Sequence, residues 1–378
     1  MKIIKMIRDT CYDLKIYLAG KSTADIKREF GLKSIVKLNS NENSLCASKK
    51  TIKEIKKNIK NIFLYPDSNA YKLKRSLAKK YQLSIDNIFI GAGGDEIIEL
   101  IAKLFFNQED EIIVSKHSFT RYSIVVKLMG AKLIVVPTDN NLKQNLIAIT
   151  KVCNKNTKAI FIANPNNPTG TYNTKKEFSI FLEKMAINKF NSKPIIVLDE
   201  SYFEYALSEK NYPNGLDYLK ENKNLIVFRT FSKIYGLAGL RVAYGFASRE
   251  IVNYIERVRP PFSVNILAQV AAITSINDKK HVLKSQKLVM KEKQYFYIEF
   301  NKSNIKYIQS AANFIIFNTL PLSGKEMFIF LLKKGIITRS LYEYDLENWI
   351  RVTIGSHKEN KLFIKKINEI FKEYNKNT

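Results

Sequence analysis

The sequence predicts an α/β protein: a large domain with a mostly parallel seven-stranded sheet between helices, then a smaller C-terminal α+β domain. Three observations predict it. Short β-branched apolar runs alternate with amphipathic stretches of helical period through the middle of the chain, the pattern of parallel strands joined by helical crossovers. Near Ser263 the pattern changes to one long helical stretch followed by widely spaced strand candidates. The 378 residues, 46% hydrophobic and 26% charged, suffice for more than one domain and a large core.

In chain order, residues 1–40 read as an N-terminal arm, 41–262 as the large domain and 263–378 as the small one. Lys49 to Lys60 reads as a helix with a solvated lysine face, leaving Ile52, Ile55 and Ile59 on the other. Strands are expected at Ile88–Ile90, Glu111–Ser115, Leu133–Pro137, Ala159–Ala163, Ile195–Asp199, Leu225–Arg229 and Arg241–Phe246. Several are continuous apolar runs, as strands covered on both faces require. Asp95–Phe106, Phe119–Met129 and Lys175–Lys189 supply helices between them. Beyond Ser263, helix is expected to about Asn301. Strands follow at Phe314–Phe317, Ile336–Arg339 and Ile350–Ile354, then a lysine-rich closing helix.

Several function classes are set aside. Apolar runs such as Ile195 to Leu198 fall far short of a membrane span. Lys2, Lys5 and Arg8 interrupt any secretory signal, so a cytoplasmic location is expected. Three cysteines without CxxC spacing and three scattered histidines indicate neither disulfides nor a metal. The net charge of +27 comes mainly from lysines spread along the chain, without the clustering of a nucleic-acid reader. Only 11 of the 62 basic residues are arginine, and these mark positions where a planar bidentate fork is needed.

Four stretches carry chemistry. IFIGAGGDE, from Ile88, turns from strand to helix on glycines, as a tight turn or as a cradle where helix amides meet an anion. IANPNNPTG, from Ile162, is a polar loop at a strand end, either a turn or the source of an asparagine that donates to a bound ring. PIIVLDESYFEY, from Pro194, ends an apolar run on Asp199, with Tyr202 three residues on. That carboxylate either caps a helix or meets a cation such as a protonated heterocycle nitrogen. VFRTFSKIYGLAGLR, from Val227, ends a strand on Thr230 and Ser232, then Lys233, with Arg241 eight residues later. A lysine just after a buried strand is partly desolvated, which makes its amine nucleophilic.

Together these stretches resemble the pyridoxal-phosphate (PLP) aminotransferases of fold type I and, within them, the histidinol-phosphate aminotransferases. LNSNEN at Leu38, YPD at Tyr65, HSFTRY at His117, RPPFSVN at Arg259 and WIRVTIG at Trp349 extend the resemblance over nearly the whole chain. The resemblance implies that Lys233 holds the cofactor covalently and then moves the substrate's Cα proton. It implies that Asp199 keeps the pyridine nitrogen protonated, that Asn167 and Tyr202 hydrogen-bond the ring oxygen, and that Phe119 stacks on the ring. The cofactor phosphate is expected at Gly94, Asp95, Thr230, Ser232 and Arg241. Tyr65 of a second subunit is expected to reach it, which implies a homodimer with shared sites. Arg351 and Arg339 are implied as substrate anion receptors, with Tyr17 and Asn41 lining the same pocket, and the competing reading of Arg339 is a surface ion pair.

The implied reaction exchanges L-histidinol phosphate and 2-oxoglutarate for imidazole-acetol phosphate and L-glutamate, with a small-molecule amino donor and a 2-oxo acid as partners. Departures bear on the substrate. The arm reads Tyr17-Leu18-Ala19-Gly20, Ser44 follows NEN, and Asp345 and Glu347 add two acids beside the expected anion site. An aromatic aminotransferase and a threonine-phosphate decarboxylase share every cofactor residue and stand as alternatives.

Overall fold

A computed structural model describes residues 6–12, 14, 23–187 and 193–377. The first strand, β1 (Val36–Lys37), is only two residues long. The large sheet comprises β2 (Ile88–Gly91), β3 (Glu111–Ser115), β4 (Lys132–Val136), β5 (Thr157–Ala163), β6 (Ile195–Asp199), β7 (Leu225–Thr230) and β8 (Ala243–Phe246). Their order is β2-β8-β7-β6-β5-β3-β4. Strands β3 to β7 run parallel, and β8 lies antiparallel to both β2 and β7.

Period-two alternation splits this sheet's side chains between two cores. On β5, Ile160 and Ile162 enter one core while Ala159, Phe161 and Ala163 enter the other. Both faces are covered by helices, as a parallel sheet requires. The helix Gly94–Phe105 buries Ile97, Ile98 and Ile101 on one side, and Lys175–Ile187 buries Phe178 and Phe181 on the other.

The remaining strands are β9 (Tyr307–Ile308), β10 (Phe314–Asn318), β11 (Ile336–Ile337), β12 (Arg339–Ser340) and β13 (Trp349–Thr353). An antiparallel sheet runs β12-β13-β10-β9. The strand expected over Ile336–Arg339 is therefore two. Thr338 passes the chain from β11, which pairs in parallel with β1, to β12, which pairs with β13. The helical region expected to about Asn301 consists of two helices, Ile266–Ile276 and Lys279–Lys302. The Asp278 side chain accepts from the His281 amide and starts the second. Helix Ile266–Ile276 packs against Lys49–Asn58 and Tyr71–Tyr81.

One expected apolar face is not covered. Ile55 packs on the core, but Ile52 and Ile59 are exposed. They continue into exposed Ile62, Phe63, Leu64, Tyr65 and Tyr71. Among the described residues, no helix is long and apolar enough to cross a membrane, and no group of three or more potential metal ligands occurs.

Candidate active site

The parallel strands β2, β5, β6 and β7 end at one edge of the sheet, where the four singled-out loops emerge. Ligands of open α/β sheets bind at such an edge. Registry does the positioning. Ala163 lies beside Asp199, and Ala243 lies between Gly91 and Thr230. Arg241, two residues before Ala243, therefore meets both the glycine turn and the Thr230 loop.

Asp199 is buried and accepts three hydrogen bonds: from the Tyr122 hydroxyl at 2.5 Å, and from the Ser201 amide and hydroxyl at 2.8 and 2.5 Å. Burial pushes its carboxyl up, and the Ser201 and Tyr122 donors pull it back toward the ionised form. Among the described residues it has no ion-pair partner, so its charge lacks the cation that burial demands. Lys233 donates to the Ser40 carbonyl at 3.3 Å and lies 5.5 Å from the centre of the Tyr202 ring. Burial, reinforced by the charge of Arg351, lowers its ammonium to about 8. Tyr202 is buried, which pushes its phenol up to about 12, and its hydroxyl accepts from the Asn41 amide nitrogen at 2.9 Å.

An anion cradle lies beside them. Gly93 caps the helix Gly94–Phe105 at φ 85°, ψ 170°. An added Cβ there would stand 2.4 Å from a guanidinium nitrogen of Arg241. The amides of Gly94 and Asp95 open the helix and have no intrahelical acceptor. Arg241 itself holds φ 53° and reaches Asp95 at 3.1 Å and the Ser232 hydroxyl at 3.5 Å. The Thr230 hydroxyl accepts from the Ser232 amide at 3.0 Å.

The asparagine loop divides its work. Asn164 exchanges hydrogen bonds with the Asn173 backbone, and Asn166 donates to the His117 carbonyl and Thr169. Both are consumed by the scaffold. Asn167 instead accepts from Arg351 through its oxygen, which leaves its NH2 available to a ligand. Arg351 is buried, also donates to the Asn39 carbonyl at 2.7 Å, and keeps a buried Nε without a partner. Arg339 lies directly opposite Arg351 on the neighbouring strand.

Of the residues singled out in the sequence, Lys233, Tyr202, Asn167, Asn41 and Arg351 are linked into one region through these contacts, and Asp199 joins them through the charge of Lys233. Gly94, Asp95, Thr230, Ser232 and Arg241 form the adjoining cradle. Phe119 starts the helix Thr120–Met129 and meets Tyr122 edge-on at 5.7 Å. Arg339 ion-pairs with Glu343 at 2.5 Å. Tyr65 is 82% exposed, its ring 4.9 Å from that of Phe262. Tyr17 lies outside the described residues. Asp345 pairs with Lys116 at 3.5 Å and Glu347 is exposed, so the carboxylate that meets Arg339 is Glu343, which the motif gave no reason to choose.

The sequence reading missed Tyr122 and Ser201, the donors to Asp199. Tyr122 carried a usable signal, because it stands three residues after Phe119 and so shares its helix face. Asn39 and Ser40, whose carbonyls bind Arg351 and Lys233, carried none, since a backbone acceptor leaves no mark in the side-chain code.

The residues present fit pyridoxal phosphate: an unpaired buried carboxylate for the ring nitrogen, a lysine near neutrality, and an amide cradle with an arginine for the phosphate. Comparison agrees. The sequence model for aminotransferase class I and II matches residues 33–367. The histidinol-phosphate aminotransferase of Caldicellulosiruptor saccharolyticus is 41% identical over 97% of this chain and 100% of its own. That of Moorella thermoacetica is 40% identical over 96% of this chain and 92% of its own. The crystal structure of the Sinorhizobium meliloti histidinol-phosphate aminotransferase, in complex with pyridoxal-5'-phosphate, superposes with a TM-score of 0.85. It covers 96% of this chain and 98% of its own at 21% identity. With the four loops gathered at one sheet edge and relatives of 40–41% identity matched over 92–100% of their length, the chain belongs to the histidinol-phosphate aminotransferase family of the class I and II aminotransferases.

Proposed function

We propose that this protein is a PLP-dependent aminotransferase that interconverts L-histidinol phosphate plus 2-oxoglutarate with imidazole-acetol phosphate plus L-glutamate, in histidine biosynthesis. The relatives at 40–41% identity carry that activity in their names. The structural observation behind the substrate is the rung that sets Arg339 opposite Arg351. Two guanidinium groups across one antiparallel rung suit a substrate with an anionic end.

Bound pyridoxal phosphate supplies a ring that accepts electrons from the substrate carbon as it loses its proton. Asp199, oriented by the Tyr122 and Ser201 donors, would keep the proton on the ring nitrogen. Tyr202 and the Asn167 NH2 donate to the ring oxygen. The Gly94 and Asp95 amides, Thr230, Ser232 and Arg241 hold the phosphate, and Phe119 covers one ring face. Lys233 is the covalent anchor, and its lowered pKa suits it to carry a proton to and from the substrate carbon near neutral pH. Arg351 receives a substrate carboxylate or phosphate, and Arg339 a phosphate, with Asn41 beside them in the pocket.

The working form is a cytoplasmic homodimer. The exposed strip from Ile59 to Tyr65, with Tyr71 and Phe262, is too apolar to face water in a stable monomer. A second copy covers it and receives Tyr65 at its cofactor phosphate. The chain divides into an arm, 1–40, a large domain, 41–262, and a small domain, 263–378, with Ile266–Ile276 packed against Lys49–Asn58 and Tyr71–Tyr81 of the large domain.

Half-reaction spectra with histidinol phosphate, tyrosine, threonine phosphate and glutamate test the substrate. Conversion is expected with histidinol phosphate and glutamate. A preference for tyrosine would leave an aromatic aminotransferase, and release of CO2 from threonine phosphate a decarboxylase.

A further inference from the structure

Asn41 sits at φ 57°, a left-handed conformation that asparagine tolerates. Its backbone amide donates to the Thr353 hydroxyl oxygen at 2.9 Å. That hydroxyl keeps one proton, and its acceptor is the Asn41 Oδ1 at 3.1 Å. The side-chain amide is thereby oriented, with oxygen toward Thr353 and NH2 toward Tyr202. An amide nitrogen only donates. The Tyr202 hydroxyl is therefore an acceptor on that side, and its own proton must leave in another direction. The charged groups around Tyr202 are Arg351, Asp199 and Lys233. Among the described residues the Tyr202 hydroxyl makes no hydrogen bond other than the one it accepts from Asn41, so its proton has no acceptor in the chain itself.

We propose that Thr353 is a positioning residue that sets, through the Asn41 side chain, the direction in which the Tyr202 hydroxyl donates its proton. The inference rests on the placement of Tyr202 at the cofactor's ring oxygen proposed above. It deepens that reading by tying the tyrosine to the substrate strand. Thr353 and Arg351 are two residues apart on β13 and so project to the same side. Thr353 is further anchored by its amide to Leu38 at 2.8 Å, and the Asn41 carbonyl is held by the Asn313 side chain at 3.0 Å. The strand that grips the substrate anion thus also aims the phenol.

The test uses the holoenzyme and reads its visible absorbance against pH alongside kcat/KM. Thr353→Val keeps the shape but removes the hydroxyl. The Asn41 amide then turns its oxygen toward Tyr202, which donates there instead of to the cofactor. Without that donor the ring oxygen is more basic and holds the proton it shares with the Lys233 nitrogen more tightly. The absorbance midpoint is expected to rise by about half a unit to one unit, with kcat/KM down about tenfold. Thr353→Ser should restore both, and Thr353→Ala makes the same deletion with less crowding if the valine variant does not fold. In a Tyr202→Phe background, Thr353→Val should add no further shift, because the tyrosine carries the whole effect. A midpoint that moves in Tyr202→Phe but not in Thr353→Val overturns the role of Thr353 and leaves that of Tyr202 standing. A midpoint that moves in neither overturns both. Additive shifts, or a serine variant that behaves like valine, reduce Thr353 to a packing residue.

Discussion

At Lys233 the protein holds an amine in a place that disfavours its charge. The folded pKa of about 8 lies below the ordinary 10.5, so between these values the unfolded chain binds more protons and stability rises with pH. Below about pH 8 both states are protonated and the penalty is fully present. In cofactor-free protein, the melting temperature of wild type relative to Lys233→Met should therefore climb from pH 8 to 10.5. A flat difference would mean that the amine is not desolvated. Arg339 makes the second residue-scale prediction. A charge-assisted contact to phosphate is worth roughly 1.5–3 kcal/mol, so Arg339→Ala should lower kcat/KM for histidinol phosphate about tenfold to a hundredfold. Activity with tyrosine should hardly change, and Arg339→Lys should recover part of the loss. An unmoved ratio of the two activities would count against the phosphate contact. Residues of this kind were legible because the chemistry needs a particular side chain at a particular strand end, as with Asp199, Lys233 and Arg351. Thr353 was not, because a threonine in WIRVTIG reads as an ordinary strand former, and Glu343 was not, because only the turn after β12 brings it to Arg339.

At the scale of elements, β6 and β7 are joined by more than their ladder. Arg229 and Glu200 are both 0% exposed. Arg229 forks onto one Glu200 oxygen at 2.8 and 2.6 Å and reaches Asn214 at 2.7 Å, while the other Glu200 oxygen accepts from the Gly215 amide at 2.8 Å. Its guanidinium lies 3.3 Å from the centre of the Phe203 ring. Glu200 follows Asp199 directly, so this pair braces the carboxylate at the strand tip from behind. Arg229→Met leaves a buried carboxylate unpaired and should cost about 3–5 kcal/mol in denaturant unfolding. Adding Glu200→Gln removes the stranded charge while keeping an acceptor for Gly215, and should recover a large part of the loss. A double variant as unstable as the single would show that the pair is not coupled. The strands of the large sheet were readable because burial on both faces leaves uninterrupted apolar runs. The two-residue strands β1 and β9 were not, since two residues carry no period, and Thr338 hides a change of sheet inside one apolar run.

At the scale of the whole molecule, the exposed apolar strip and Tyr65 call for a second subunit, and the mixture of two defective chains tests it. Lys233→Ala and Tyr65→Phe chains, allowed to exchange, form heterodimers in which one site has both native residues. Activity above the sum of the separate parents is expected, and proven heterodimers without regained activity would mean that the sites are not shared. The proposed dimer rests, in the sequence, only on the resemblance of the YPD stretch, because a surface strip looks the same in sequence whether water or another subunit covers it. The small parallel pairing of β1 with β11 has its own consequence. It clamps the stretch that presents Asn39, Ser40 and Asn41, and Leu38 is tied further to β13. On the ribosome, Ile336 is added about 300 residues after Lys37, a delay of roughly 15–60 s at ordinary rates of synthesis. Until then the nascent chain has the lysine and the phosphate cradle but no partner for the segment that closes over them. A chain stalled or cut before β11 lacks the pairing that holds this segment, so catalytic competence waits for the synthesis of β11.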